Sequence, residues 1–196
     1  MGELVNLQIA KKESVATKLF ESLIPGHTFM TIDYDTPKEY VERYWRAFSL
    51  SGNTACKKII FEYIIYTLLY REKIYPFYHH TRIADVPLIR YDILLISNTM
   101  PISLTIKTSL RERYKQADLE AIALKYVHRK ARSFLLTMNS QEAKSIKAKI
   151  PQGEVIGLDD VIDCNTDQLD DLIVFLKQMS FCESTQIDVV TGNLVK

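Results

Sequence analysis

The stretch Tyr91-Asp92-Ile93-Leu94-Leu95-Ile96, then Ser97-Asn98-Thr99-Met100-Pro101, then Ile102-Ser103-Leu104-Thr105-Ile106-Lys107 decides the fold. The first segment is a short apolar run with an acid near its start. The second is turn-like, and the third alternates apolar and polar residues as a half-buried strand does. Together they predict a β-hairpin turning near Asn98–Thr99, which sets Lys107 opposite residue 91 or 92 and makes Asp92 and Lys107 cross-strand neighbours. Beyond the hairpin, Thr108 or Ser109 can cap a long helix over about Leu110–Arg132. Ser133–Met138 reads as a buried strand, Glu154–Leu158 as another, and Gln168–Met179 as an amphipathic helix. Before the hairpin, Val5–Leu23 carries a broken helical pattern. Asp35-Thr36-Pro37 opens a helix running to about Leu50, and a largely buried helix spans about Thr54–Lys73. Helices, a hairpin, a helix, strands and a final helix predict an α/β class with a central mixed sheet flanked by helices.

The 196 residues suit one domain, and 47% apolar with 25% charged residues excludes a disordered chain. The longest apolar run, around Ile59–Tyr70, is interrupted by Glu62 and Thr67 and is too short to span a membrane. The N-terminus has no basic segment followed by an apolar one, so a cytoplasmic location is expected. Cys56, Cys164 and Cys182 lack paired spacing and read as reduced thiols. The net charge of +1 hides an asymmetry: Thr105–Arg132 holds eight basic against three acidic residues, and Pro151–Asp171 holds seven acidic and no basic ones. The basic segment can bind a polyanion locally.

An acid and a lysine at the rim of one sheet form the minimum for metal-assisted phosphodiester hydrolysis. The carboxylate holds Mg²⁺, and the lysine positions a water or stabilises charge. The position two residues before Lys107 is Thr105, which cannot replace a carboxylate. The nearest second acid is Glu120, on the helix that packs back on the sheet. Asp92 is taken as the first acid, with Asp85 as the alternative. The tips of Asp92, Lys107 and Glu120 are expected within roughly 4–8 Å of one another. Glu62 is a further metal-proximal carboxylate or, at helical spacing, the partner of Lys58. His79, His80 and His128 show no zinc-ligand spacing and read as loop and helix-surface residues.

Residues Ile106 to Glu120, with Lys107, the Arg111-Glu112-Arg113 triplet and Glu120, resemble the active-site and recognition segment of type II restriction endonucleases of the PD-(D/E)XK superfamily. The likeness is to the EcoRII, PspGI and SsoII subgroup, which recognises sites bounded by CC and GG. The resemblance implies a restriction-endonuclease-like core over residues 54–180, a helical portion over 1–53, and one domain over 1–196. It implies Mg²⁺-dependent double-strand cleavage of DNA by a homodimer, with Asp92, Lys107 and Glu120 catalytic and the second acid moved onto the helix. It also raises the reading of Trp45 as the wall of a base-flipping pocket, beside that of an ordinary core tryptophan. The triplet has its own chemistry: arginine donates two hydrogen bonds to guanine and glutamate accepts one from cytosine, so Arg111, Glu112 and Arg113 suit adjacent G·C pairs, while Lys115 suits a backbone phosphate. A mismatch-repair nickase, a junction resolvase and a non-catalytic DNA-binding module are the competing readings. No P-loop or dinucleotide fingerprint points to a nucleotide cofactor.

Overall fold

The computed structural model describes residues 2–97, 100–183 and 187–196. The predicted hairpin tip at Asn98–Thr99 therefore lies outside the described residues. The chain begins with a short helix α1 (Glu3–Asn6) and α2 (Val15–Ser22). The Ser14 hydroxyl caps α2 by accepting from the Thr17 amide, and Thr17 Oγ1 accepts in return from the Ser14 amide. Helix α3 (Pro37–Leu50) starts as its sequence predicts, with Thr36 as cap and Pro37 in the first turn. Helix α4 (Lys57–Arg71) is buried on almost every side, which is why its apolar residues show no single stripe.

A six-stranded sheet follows, in the order β5-β4-β3-β2-β1-β6. Strands β1 (Phe77–Ile83), β2 (Val86–Ile96) and β3 (Pro101–Ile106) form an antiparallel meander. Helix α5 (Arg113–Val127) then carries the chain to β4 (Arg132–Thr137), parallel to β3. Helix α6 (Ser140–Lys147) leads to β5 (Asp160–Asp163), parallel to β4; α7 (Gln168–Lys177) and the edge strand β6 (Val189–Val195) complete the chain. Successive strand residues serve opposite faces. Leu136 and Ile162 join the large core built with α2, α3, α4 and α7, while Leu135 and Val161 join a smaller core with α5 and α6. The result is a mixed sheet between two helical layers. Among the described residues, no helix is long and apolar enough to cross a membrane.

Four expectations need correction. Helix α5 starts at Arg113, capped by neither Thr108 nor Ser109, and ends at Val127 and not near Arg132, because a turn closed by the Ala131 amide on the His128 carbonyl precedes β4. Glu154–Leu158 is not a strand, and the strand lies at Asp160–Asp163 instead. The amides of Ile156, Gly157 and Leu158 donate to the Asp118 carboxylate and so are not available to a ladder. Gly157 is required there: a Cβ would come within 2.3 Å of the Asp118 carbonyl oxygen. His79 and His80 lie in strand β1 and not in a loop. Finally, Ile93 pairs with Leu104 and Leu95 with Ile102. Continued by one residue, that register sets Thr105, not Lys107, opposite Asp92.

Candidate active site

Asp92 and Lys107 meet despite that register. Lys107 stands just past the end of β3, where its amide extends the pairing to β4 by donating to the Leu136 carbonyl, at 3.1 Å. Its side chain reaches back so that Nζ lies 3.2 Å from Asp92 Oδ2. The same oxygen accepts the Ile106 amide at 2.9 Å. Both residues are buried, at 7% exposure for Asp92 and 8% for Lys107. One lobe of the Asp92 carboxylate is thus fixed by two donors, and Oδ1 is turned elsewhere.

Oδ1 looks toward α4, where Lys58 Nζ lies 3.9 Å away. Glu62, one helical turn beyond Lys58 and only 2% exposed, contributes a second carboxylate. Its Oε1 is 3.3 Å from Lys58 Nζ, an ion pair at an angle that makes no hydrogen bond. Its Oε2 is 3.3 Å from Nε2 of His80. Burial alone would raise the Glu62 carboxyl, but the hydrogen bond and charge of His80 and the Lys58 ammonium outweigh it and hold it below the ordinary value. One ligand atom from each of Glu62, His80 and Asp92 falls within 4.8 Å of the others, a spacing that a single metal ion can bridge. Tyr66 closes the floor of the site, its hydroxyl donating to the Asp92 carbonyl at 3.3 Å.

Glu120 approaches from the α5 side. Its carboxyl is raised, chiefly by burial, while the charges of Lys107 and Lys58 pull it down and that of Asp92 pushes it up. The Gln116 side chain holds Oε1 at 2.7 Å. Its charge also acts on the buried Tyr91 phenol, whose hydroxyl has no hydrogen-bond partner. Glu120 is therefore electrostatically part of the corner formed by Asp92 and Lys107, while Glu62 and His80 supply the nearest ligand atoms.

No family model, no curated protein and no solved structure matches the chain. Its chemistry is read from the residues themselves.

The segment after Lys107 is pinned before it enters α5. Glu142 of α6 accepts the Leu110 amide at 2.6 Å and the Ser109 hydroxyl at 3.3 Å. This anchor presents Arg111, Glu112 and Arg113 at the start of α5, all exposed. Glu112 forms an exposed ion pair with Lys115 at 2.6 Å. Asp85 sits in the β1–β2 turn and faces His128 at 3.6 Å, away from the partners of Lys107. Trp45 packs on Phe61 and Phe48, with ring centroids 5.3 and 5.7 Å apart, and lies against the large core. Sequence reasoning missed His80.

Proposed function

We propose that the chain is a metal-dependent endonuclease that hydrolyses DNA phosphodiester bonds at the Asp92–Lys107 corner. The observation that carries this reading is the 3.2 Å approach of Lys107 to one lobe of Asp92, with the buried Glu62 carboxylate beside the other lobe. Asp92 and Glu62, with Glu120 on the α5 side, are the carboxylates that would hold a divalent ion, Mg²⁺ by the resemblance. The ion supplies Lewis-acid polarisation of the phosphate and lowers the pKa of a water. The donor set fits: Glu62 Oε1 is buried without a hydrogen bond, a state a cation would relieve. Lys107, held by Asp92, stabilises the charge that grows on the phosphate oxygens as water oxygen bonds to phosphorus and the P–O3′ bond breaks. The products are a 5′-phosphate and a 3′-hydroxyl.

The finer reading is a type II restriction endonuclease acting as a homodimer in the cytoplasm, with Arg111 and Arg113 reading G·C pairs at a site bounded by CC and GG. What supports it is the exposed triplet, anchored through Glu142 four to six residues from Lys107. A second reading is a non-catalytic DNA-binding module. It is favoured by the two lysines that already neutralise the acids, and weakened by the poor geometry of the Lys58–Glu62 pair. Sequencing the ends of a plasmid digest made with Mg²⁺ tests the proposal. Ends that share a CC and GG boundary support the whole reading. Random ends support a nuclease without the specificity. An intact plasmid favours the second reading.

A further inference from the structure

Three features converge on His80. Its backbone is left-handed, with φ of 49° in the interior of strand β1, a conformation that a non-glycine residue keeps only where its surroundings enforce it. The pairing of β1 with β6 shifts register between His79 and Arg82, a span that includes this residue. Its Nε2 lies 3.3 Å from Oε2 of Glu62. Its neighbour His79 illustrates the ordinary alternative. It is buried, its Nε2–H donates to the Gln8 carbonyl at 3.2 Å, and it is held largely neutral, its pKa lowered by desolvation to about 4. His79 has a structural partner from the chain; His80 is aimed at a carboxylate.

We propose that His80 is a metal ligand, completing with Glu62 and Asp92 a three-residue site for a divalent first-row transition metal, for which Mn²⁺ is the spectroscopic probe. Two ligands bound at about 2.1 Å and at right angles stand about 3.0 Å apart, so the 3.3 Å between Glu62 Oε2 and His80 Nε2 is close to an edge of such a site. The ligand atom of Asp92 completes the set within 4.8 Å. Glu62 Oε1, 98% shielded by its residue's burial and without a hydrogen bond, is the under-satisfied acceptor that a cation would meet. The donor types choose the metal. Mg²⁺ is served by carboxylates and water, whereas an imidazole adds affinity along the first transition series.

Lys58 stands in the same space. Its ammonium is 3.3 Å from Glu62 Oε1 and 3.9 Å from Asp92 Oδ1, bridging the two carboxylates as a cation would, and its side chain is 49% exposed and free to swing outward. Metal and ammonium therefore compete. Removing Lys58 tightens metal binding, while removing a ligand loosens it.

This inference rests on the reading of the corner as a metal site but not on its being a nuclease. It is tested without DNA. Mn²⁺ is titrated into the full chain and followed by electron paramagnetic resonance and calorimetry. The wild type is expected to take one tightly bound Mn²⁺ whose electron spin-echo spectrum carries the ¹⁴N modulation of a coordinated imidazole. His80→Asn, which keeps a residue that tolerates the left-handed backbone, should lose the ¹⁴N signal and weaken Mn²⁺ binding at least tenfold with Mg²⁺ binding almost unchanged. Lys58→Ala should tighten Mn²⁺ severalfold. A bound Mn²⁺ without ¹⁴N modulation in the wild type overturns the role of His80, as does a His80→Asn chain that binds Mn²⁺ within twofold of wild type. No binding at all overturns the site itself. Tight binding with the ¹⁴N signal but no DNA cleavage leaves this inference standing and removes the nuclease reading.

Discussion

Two buried acid clusters at different corners of the sheet are built from the same residue types and differ in closure. At Asp159, before β5, the carboxylate accepts from Arg132 and the Ser133 amide and forms an ion pair with Lys125, each at 2.8 Å. Asp118 is satisfied in the same way, by the amides of Gly157 at 2.7 Å and Leu158 at 3.0 Å on one oxygen and of Ile156 on the other. At the Asp92 corner the lysines stand farther off, at 3.2, 3.3 and 3.9 Å, and Glu62 Oε1 makes no hydrogen bond. A buried carboxylate surrounded by well-placed donors stabilises the fold. One left short of donors is costly to the fold, a cost that a bound cation or water would relieve. On the proposed reading, the contrast sets Asp118 and Asp159 apart as structural acids from Asp92 and Glu62 as the acids of the site.

The largest expected effect follows from that separation. Asp92→Asn should slow DNA cleavage roughly 10³-fold, about 4 kcal/mol of barrier, with DNA binding retained. Asp159→Asn should leave cleavage per folded molecule within about twofold. Gel assays of both proteins at matched folded concentration decide it, and equal losses would erase the distinction. Next in size, Asp118→Ala removes a charged acceptor from three amides and should cost about 2–4 kcal/mol. In a chain of this length that lowers the melting temperature by roughly 5–15 °C in a thermal melt. A melt within 2 °C of wild type would mean that the 156–158 loop finds other acceptors.

Recognition comes third. Arg111→Ala or Arg113→Ala should weaken binding to the cognate site about ten- to a hundredfold, from ~1–3 kcal/mol per bidentate contact. Lys115→Ala should weaken binding to all sequences alike and reduce the salt slope by about 1. Titrations against matched and mismatched duplexes separate the two, and an arginine variant that loses affinity uniformly would demote the triplet to phosphate contacts.

The smallest effect is a stability change at Glu120. Burial first, and the charge of Asp92, raise its carboxyl above the ordinary 4.5. The ionised form is then disfavoured in the folded chain, so the stability contribution is complete below the unfolded value and is lost as pH rises through the folded one. Glu120→Gln should therefore melt higher than wild type at pH 7, with the gain vanishing below about pH 4.5. The same variant should cleave more slowly. A gain independent of pH would show that ionisation is not its source.

The hairpin was legible because Ile93–Ile96 and Ile102–Ile106 carry strong apolar signals on either side of a turn, and Asp92 interrupts one end of them. Glu62 was legible as a lone acid in a buried helix, together with the Lys58 pairing that helical spacing allows. Strand β1 was hidden because its inward positions include His79 and Thr81, so its alternation in burial is not an alternation in hydropathy. His80 was hidden with it, since no sequence pattern announces a left-handed backbone at a histidine. The end of the sheet was misplaced by a few residues because the acceptor that takes the 156–158 amides is Asp118, nearly forty positions earlier in the chain. Long-range hydrogen bonds of this kind override local propensity and leave no local trace.

The most direct test sets wild type beside Lys107→Ala on one supercoiled plasmid in Mg²⁺ or Mn²⁺, with product followed over time and both proteins matched for fold and DNA affinity. The expected result is nicking and linearisation by the wild type, abolished by chelation, and a loss of about 10²-fold or more in the variant at unchanged DNA binding. Cleavage by Lys107→Ala at the wild-type rate, or a wild-type chain that binds metal and DNA yet leaves the plasmid intact, would contradict the assignment of the Asp92–Lys107 corner as a nuclease centre.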